Sequence, residues 1–472
     1  MRRIVIPRPP TPPLPRIQDH AVFSAAGSVW ALLVGMGLLL LGNGLQGSLL
    51  GVRAAEESFG STVTGVVMSG YFVGFLIGSQ IAPRTIRRVG HLRVFAAVAA
   101  LASIAILLQS LFVTPTVWAL MRVLTGYCLA SAYIVTESWL NDRVTNEHRG
   151  GLLSVYMIVS YFGMGGGQLL LNTGDPVAHE LFILVSVLIS FAAIPILFSI
   201  TPQPVQEAPE RLGAPALYRI SPLGVFGSFS TGILQGAVFG MGAVYGRTAG
   251  LSVGQISVFM FILIAAPALA QWPIGKLSDR MDRRKVITGL AAFGAIASLV
   301  AILVTGTWPR LLVYLAAAIG VGPMLLYSLF IAYTNDHLRA EQMVAASSTL
   351  ILVFGIGATL GPSTAGILMD AFGPTGFLVL LAGAQTGIVA FALHRMRITR
   401  TGPVEAQSPW STNPARTAAL SPALAEVAAE TADESATTAA GAEAADTAPG
   451  GHGTAADEDD TGSPGQPEEP GR

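Results

Sequence analysis

Charge is scarce in this sequence. Only 12 % of its 472 residues are Asp, Glu, Lys or Arg, whereas 52 % are hydrophobic and the mean hydropathy is +0.59. Soluble domains carry roughly 25 % charged residues. This chain lacks the polar surface needed to cover itself in water, so the bilayer is its expected solvent. Cysteine is nearly absent: Cys128 stands alone in an apolar run, which excludes an intrachain disulfide and leaves no metal-ligand spacing. The seven histidines, at 20, 91, 148, 179, 337, 394 and 452, read as loop or tail residues. No metal or nucleophile constellation is therefore expected inside the apolar runs, and the chain is not expected to be an enzyme or to carry a cofactor. No glycine-rich loop ending in Lys-Ser or Lys-Thr occurs, so an ATP motor built on that loop is excluded. The start, "MRRIVIPRPPTPPLPRIQDH", is basic and Pro-rich but has no apolar core with a small-residue cleavage site. It reads as a cytoplasmic tail before an uncleaved first span.

What charge there is lies unevenly. Residues 1–400 hold 25 Lys and Arg against 15 acids, whereas residues 401–472 hold 2 Arg and 13 acids. That last stretch is mostly Ala, Glu, Asp, Thr, Gly and Pro, too poor in apolar surface to offset the entropy of ordering, and reads as a disordered acidic tail.

A membrane-spanning helix needs about 20 apolar residues. Twelve runs qualify, at 26–50, 62–82, 92–114, 116–140, 151–173, 178–199, 222–246, 254–275, 286–306, 309–333, 344–369 and 374–395. The one long break, "TPQPVQEAPERLGAPALYRISP", divides them into two sets of six. The expected organisation is an N-terminal tail (1–20), a six-helix bundle (21–200), a cytoplasmic linker (201–220), a second six-helix bundle (221–396) and the acidic cytoplasmic tail (397–472). With the N terminus inside, the inner segments carry 19 Lys and Arg outside the tail and the outer loops only Arg53, Arg247 and Arg310. This asymmetry predicts that both termini are cytoplasmic.

The two halves repeat. Shifted by 192 residues, "RRVGHLR" (Arg87–Arg93) falls on "DRMDRRK" (Asp279–Lys285), and "FGMGGGQ" (Phe162–Gln168) on "FGIGATL" (Phe354–Leu360). With a two-residue slip, "LNDR" (from Leu140) resembles "YTNDH" (from Tyr333). Shared order at a near-constant offset predicts a duplicated six-helix unit, the plan of one large class of transporters.

At this point the chain resembles the major facilitator superfamily (MFS) over residues 21–396. Gly275, Asp279, Arg280, Arg283, Arg284 and Lys285 fit its signature G-x-x-x-D-R-x-G-R-R-K/R, with Asp282 where the pattern prefers Gly. "TESWLND" followed by "RGGLLSVYMIVSYFGMGGGQLL" further resembles the YcaD-like branch of that superfamily. The resemblance implies an all-α polytopic protein with twelve transmembrane helices in two pseudo-symmetric six-helix bundles. It also implies that Asp279 faces the start of span five, near Arg149, as a cytoplasmic latch; the alternative is that the motif's positive charges only anchor the loop inside. The N-half copy departs from the pattern: Pro83 replaces the first Gly and Arg87 replaces Asp. Glu341, in the first turn of span eleven, is expected to reach Arg87 or Arg88. The expected cytoplasmic gate comprises Arg87, Arg88, Arg93, Asp142, Arg149, Gly275, Asp279, Arg280, Arg283, Arg284, Asp336 and Glu341.

Two ionisable residues fall within the spans where desolvation is real, Arg122 and Glu137, both in span four. Charges there cost about 2.5–3.5 kcal/mol at the bilayer centre and usually face a cavity or a partner. Fifteen residues apart, or about 22 Å along a helix, they cannot pair with each other. Arg122 and Gly126 resemble the family's R-x-x-x-G motif of span four, which implies substrate or proton handling; the competing reading is a structural arginine bonded to helix carbonyls. Glu137 is either a proton carrier, its pKa raised by burial, or a partner of Arg88 or Arg93. In this fold spans one, four, seven and ten line the cavity, so Asn43, Gln46, Tyr127, Tyr133, Gln235 and Tyr327 become cavity candidates by resemblance, each equally readable as an interhelical hydrogen bond. The glycine runs "GMGGGQ" and "GIGATLGPSTAG" read as close helix contacts in spans five and eleven. Span five lacks the Gly-Pro pair of drug antiporters; Gly361-Pro362 lies in span eleven.

The expected function is secondary active transport of a small molecule, anionic or amphiphilic, by alternating access, proton-coupled, in the plasma (inner) membrane. Its partners are that substrate and the bilayer, with no nucleic acid, and the chain is expected to be a monomer. The alternative is a non-transporting sensor or scaffold that acts through the acidic tail.

Overall fold

The computed structural model describes residues 30–142, 146–198 and 213–398, with side chains throughout except at 140–154, 268, 340, 341 and 344. Among these residues the chain is helical, without strands. Twelve long helices follow one another: α1 (Trp30–Glu56), α2 (Ser61–Val89), α3 (His91–Leu111), α4 (Pro115–Asp142), α5 (Asn146–Leu169), α6 (Glu180–Leu197), α7 (Pro222–Thr248), α8 (Val253–Arg280), α9 (Arg283–Val304), α10 (Leu311–Asn335), α11 (Ala340–Phe372) and α12 (Thr375–Ile398). A 3-10 turn (Leu170–Thr173) extends α5, and a short helix (Ala214–Ile220) leads into α7. Eleven of the twelve are long and apolar enough to cross a bilayer. The other is α5, part of which lies outside the described side chains.

Several helices outrun their apolar stretch. No Gly or Pro interrupts the chain between Gly275 and Met281, so α8 continues through Lys276, Asp279 and Arg280. The charged motif is therefore mostly helix, and its connection to α9 is only Met281 and Asp282. Asp282 caps α9, its Oδ1 accepting from the Arg284 N–H at 3.0 Å. Asp thus supplies a side-chain cap at a position where the family prefers Gly. The repeat-related position is Gly90, which joins α2 to α3 at φ +89° with no side-chain cap. The two halves solve one turn in two ways: a positive-φ glycine and a capping aspartate.

Packing repeats like the sequence. In the first half α1 packs on α5 and α6, α2 on α4, and α3 on α4 and α6; in the second, α7 packs on α11 and α12, α8 on α10, and α9 on α10 and α12. Between the bundles α2 meets α11, α5 meets α8, and α1 meets α7. Small residues set the closest approaches. A Cβ at Gly74 would overlap the Val123 carbonyl oxygen, and one at Gly126 the Tyr71 carbonyl oxygen, so α2 and α4 touch backbone to backbone. The glycines of α11 do the same against α7: Gly357 faces the Phe229 carbonyl and Gly361 that of Ile233. One apolar core runs through both bundles. Large apolar side chains also point outward, with Leu269 83 %, Leu303 78 % and Phe162 71 % exposed. That is a surface suited to lipid rather than water.

Candidate functional site

A cavity of about 80 Å³ lies where the bundles meet. Its walls come from α1 (Asn43, Gly44, Gly47), α2 (Tyr71, Phe72, Phe75, Leu76), α4 (Arg122, Tyr133), α5 (Met164, Gln168), α7 (Gln235, Phe239) and α11 (Phe354, Gly355, Ala358). Arg122 is 4 % exposed, with its guanidinium carbon 4.6 Å from the Tyr71 ring centre. That cation–π contact is held by the Gly74 and Gly126 approach, which presses α2 against α4. The Arg122 Nε and Nη1 are buried and have no hydrogen-bond partner. Buried donors are almost always satisfied, and these two nitrogens do not bond helix carbonyls.

Of the polar candidates, Asn43, Arg122, Tyr133 and Gln235 stand in the cavity wall and the others do not. The Gln235 amide donates to the Pro323 carbonyl at 2.8 Å. Gln46 donates to Gln109 at 3.1 Å behind the wall. Tyr127 lies along the α2 contact rather than in the wall. Tyr327 is fully buried behind Phe354, ring centres 4.7 Å apart, and its hydroxyl has no partner. Glu137 lies one turn beyond Tyr133; it is 1 % exposed and accepts from the Tyr156 hydroxyl at 3.3 Å. Arg88 and Arg93, offered as its partners, are exposed.

The expectation of a cavity walled by spans one, four, seven and ten holds for three of them. Helix α10 contributes nothing to this wall; α2, α5 and α11 do. The reason is packing: α10 sits against α8 and α9, and Phe354 of α11 covers Tyr327. The aromatic wall was not anticipated. "GYFVGF" in α2 places Tyr71, Phe72 and Phe75 together, and their i, i+4 spacing was the available signal.

At the arginine-rich end Arg283 is a hub, 1 % exposed. Its Nε donates to Ser278 (3.1 Å), Nη1 to the Ala332 carbonyl (3.0 Å) and to Asp336 (2.6 Å), and Nη2 to Asp279 (3.1 Å). It ties together α8, α9 and α10. Asp279 thus bonds within its own bundle. Arg284 bonds Asp282 at 3.1 Å, Gly275 is buried and Arg280 exposed. Arg87 is exposed too. The side chains of Asp142, Arg149 and Glu341 lie outside the described residues, and with them the expected contacts of Asp279 near Arg149 and of Glu341 with Arg87 or Arg88. His91 stands at the repeat position of Arg283. It is not a loop residue: it opens α3, is buried, bonds Ser138 at 3.1 Å and stacks on Trp139. His148 and His394 likewise fall within α5 and α12.

The opposite, arginine-poor end is clasped across the bundles. Arg247 of α7 bonds Glu56 of α1 at 2.6 Å. Asp370 of α11 accepts from the N–H groups that open α2. Ser69 bonds Ser363 at 2.8 Å, and Asn172 bonds Ser257 at 2.8 Å.

Among the described residues these features define an all-helical, multi-pass membrane protein of two repeated bundles with a cavity between them. The profile of the Major Facilitator Superfamily matches residues 32–263 and 224–431, and the chain belongs to that superfamily. It is 29 % identical over 359 residues to the Uncharacterized MFS-type transporter YcaD of Escherichia coli O139:H28, covering 76 % of this chain and 93 % of the relative. The protein of that name in Escherichia fergusonii is 27 % identical over 373 residues, covering 79 % and 96 %. Among solved structures, the nucleoside transporter NupG aligns with a TM-score of 0.62 at 15 % identity, over 79 % of this chain and all of that one. A bacterial homolog to the human lysosomal transporter Spinster, inward-facing and occupied, aligns at 0.61 and 15 %, over 84 % and 99 %. At such identity these likenesses speak for the fold alone.

Proposed function

We propose that the chain is a secondary active transporter that carries a small anionic or amphiphilic molecule by alternating access. One observation carries this: a buried arginine with two unpartnered donors stands in the wall of a cavity between two bundles. A fixed guanidinium in a dry site binds an anion through paired, charge-assisted hydrogen bonds. The bundles, 21–200 and 221–396, rock about that cavity. The arginine-rich end faces the cytoplasm, with both termini there, and the protein works as a monomer in the plasma (inner) membrane. The clasped arginine-poor end then belongs to the inward-facing limb of the cycle. In the outward-facing limb the gate set around Asp279 and Arg283 closes instead. Coupling is to protons: Glu137 with Tyr156 adjoins the cavity one turn beyond Tyr133, and a buried carboxylate paired with a neutral hydroxyl can hold or release a proton as its access to water changes.

The test is a thermal-shift screen of the purified protein against a metabolite library, repeated on Arg122→Ala. Ligands that stabilise the parent and not the variant are expected. A screen in which every hit survives the substitution removes Arg122 from the site and this reading with it.

A further inference from the structure

The walls of the cavity name a narrower ligand. Arg122 is the only charged side chain among its described lining residues; no Asp, Glu, Lys, His or second Arg joins it. Six of the lining residues are aromatic. On the N-half wall the guanidinium caps Tyr71, Tyr71 leans on Phe75 with centres 5.9 Å apart, and Phe75 leans on Tyr133 at 5.8 Å. Phe239 and Phe354 line the cavity from the other bundle, the second fixed by Tyr327 behind it.

We infer that this site takes a flat, apolar organic monocarboxylate, its carboxylate against the Arg122 guanidinium and its ring or apolar body in the aromatic slot between the bundles. This rests on the transporter reading of the same cavity and deepens it. Most alternatives leave a charge uncompensated in a low-dielectric site, and the last leaves the apolar wall unused. A cation, or the ammonium of an amino acid, would meet a fixed positive guanidinium and no acid. A phosphate dianion would bring two charges to one. A neutral ligand would leave the guanidinium charge without a counter-charge. A small hydrophilic anion would leave the aromatic wall bare. A guanidinium with unpartnered donors favours a carboxylate through charge-assisted hydrogen bonds, and ring faces and edges suit a planar apolar body.

The test uses the full chain in nanodiscs, with binding measured by calorimetry. The probes are phenylacetate, benzyl alcohol (ring, no charge), benzylamine (ring, cation), phenylalanine (zwitterion), phenyl phosphate (dianion) and acetate (charge, no ring). Phenylacetate should bind at least about tenfold more tightly than each of the others. Arg122→Gln should bring phenylacetate down to the level of benzyl alcohol, and Phe239→Ala should weaken phenylacetate without changing acetate. Equal binding of phenylacetate and benzyl alcohol, tighter binding of any other probe, no binding of any probe, or an unchanged phenylacetate affinity in Arg122→Gln would each overturn the proposal. Should Arg122→Gln fail to fold, the probe series on the parent and Phe239→Ala decide it. A different ligand class that drives the bundles between conformers sinks this inference and leaves the transporter reading standing. Tight phenylacetate binding without any alternation does the reverse.

Discussion

Asp370, in the last turn of α11, accepts the backbone N–H of Thr62 at 2.9 Å, and its other carboxylate oxygen takes that of Ser61 at 3.1 Å. A carboxylate from one bundle thus caps the first turn of a helix in the other, where bare N–H groups and the helix dipole favour negative charge. Asp370→Ala removes this clasp. Charge-assisted bonds to an exposed carboxylate are worth about 1 kcal/mol after solvent screening, so the balance should move about fivefold toward the conformer open at this end. The readout is labelling of Phe239→Cys by an impermeant maleimide from the arginine-poor side, on a chain whose only other cysteine, Cys128, has been replaced. Labelling should quicken several-fold; an unchanged rate means the contact holds nothing shut.

A different prediction concerns the seam between α2 and α4. Gly74 and Gly126 have no room for a Cβ, because the opposing carbonyls of Val123 and Tyr71 already occupy the space. Gly126→Ala should push α2 away from α4 and cost about 1–3 kcal/mol of stability, the usual price of overpacking. Because Tyr71 sits on α2 and Arg122 on α4, the same change should also pull the ring from the guanidinium. Ligand affinity should fall further than for an alanine placed at Gly383, which has nothing within contact distance. Equal effects at the two positions would show that the seam does not position the site.

Arg283 and Asp279 separate stability from conformational balance. Arg283 is buried and uses Nε, Nη1 and Nη2 to join three helices. Arg283→Ala should cost about 2–3 kcal/mol, given the value of hydrogen bonds to charged groups. Arg283→Lys should recover less than half, since an ammonium cannot reproduce the planar fork. Asp279 is more exposed, and Asp279→Asn should leave the melting temperature nearly unchanged while favouring the conformer open at the arginine-rich end. Cysteines placed in the vestibule at that end should then react faster. A large drop in melting temperature with no change in accessibility would make Asp279 a structural partner of Arg283 alone.

The helices were legible in the sequence because a bilayer demands long apolar runs, and each of the twelve runs corresponds to a helix. Their ends were not, because hydropathy stops at the edge of the apolar stretch while the hydrogen-bond ladder continues: α2 runs to Val89 and α8 to Arg280. Arg122 stood out as a charge where charges are rare. The aromatic wall did not, since Phe75 and Phe162 sit in similarly apolar runs, yet one lines the cavity at 3 % exposure and the other faces outward. Only the rotation of each helix about its axis tells them apart. Gln46 and Tyr327 stayed open between two readings for the same reason: a polar group in a span satisfies or hides itself against a neighbour as readily as it lines a cavity.

The duplicated turn between the second and third helix of each bundle gives a last test. Asp282 does two things, capping α9 through the Arg284 N–H and bonding the Arg284 guanidinium at 3.1–3.2 Å. Asp282→Asn keeps the cap and loses the ion pair; Asp282→Gly loses both, although glycine itself is a tolerable cap. If the pair matters, the two variants should be destabilised alike, by about 1–2 kcal/mol. If the cap matters, Asn should be near neutral and Ala at that position worse than Gly. At Gly90 the logic inverts. The backbone there sits at φ +89° and ψ 157°, a region almost closed to other residues. Gly90→Ala should therefore cost about 1–3 kcal/mol although it removes no hydrogen bond. Melting curves of the four variants measure all of this. A neutral Gly90→Ala would show that the first-half turn is not held in the conformation that distinguishes it from its twin.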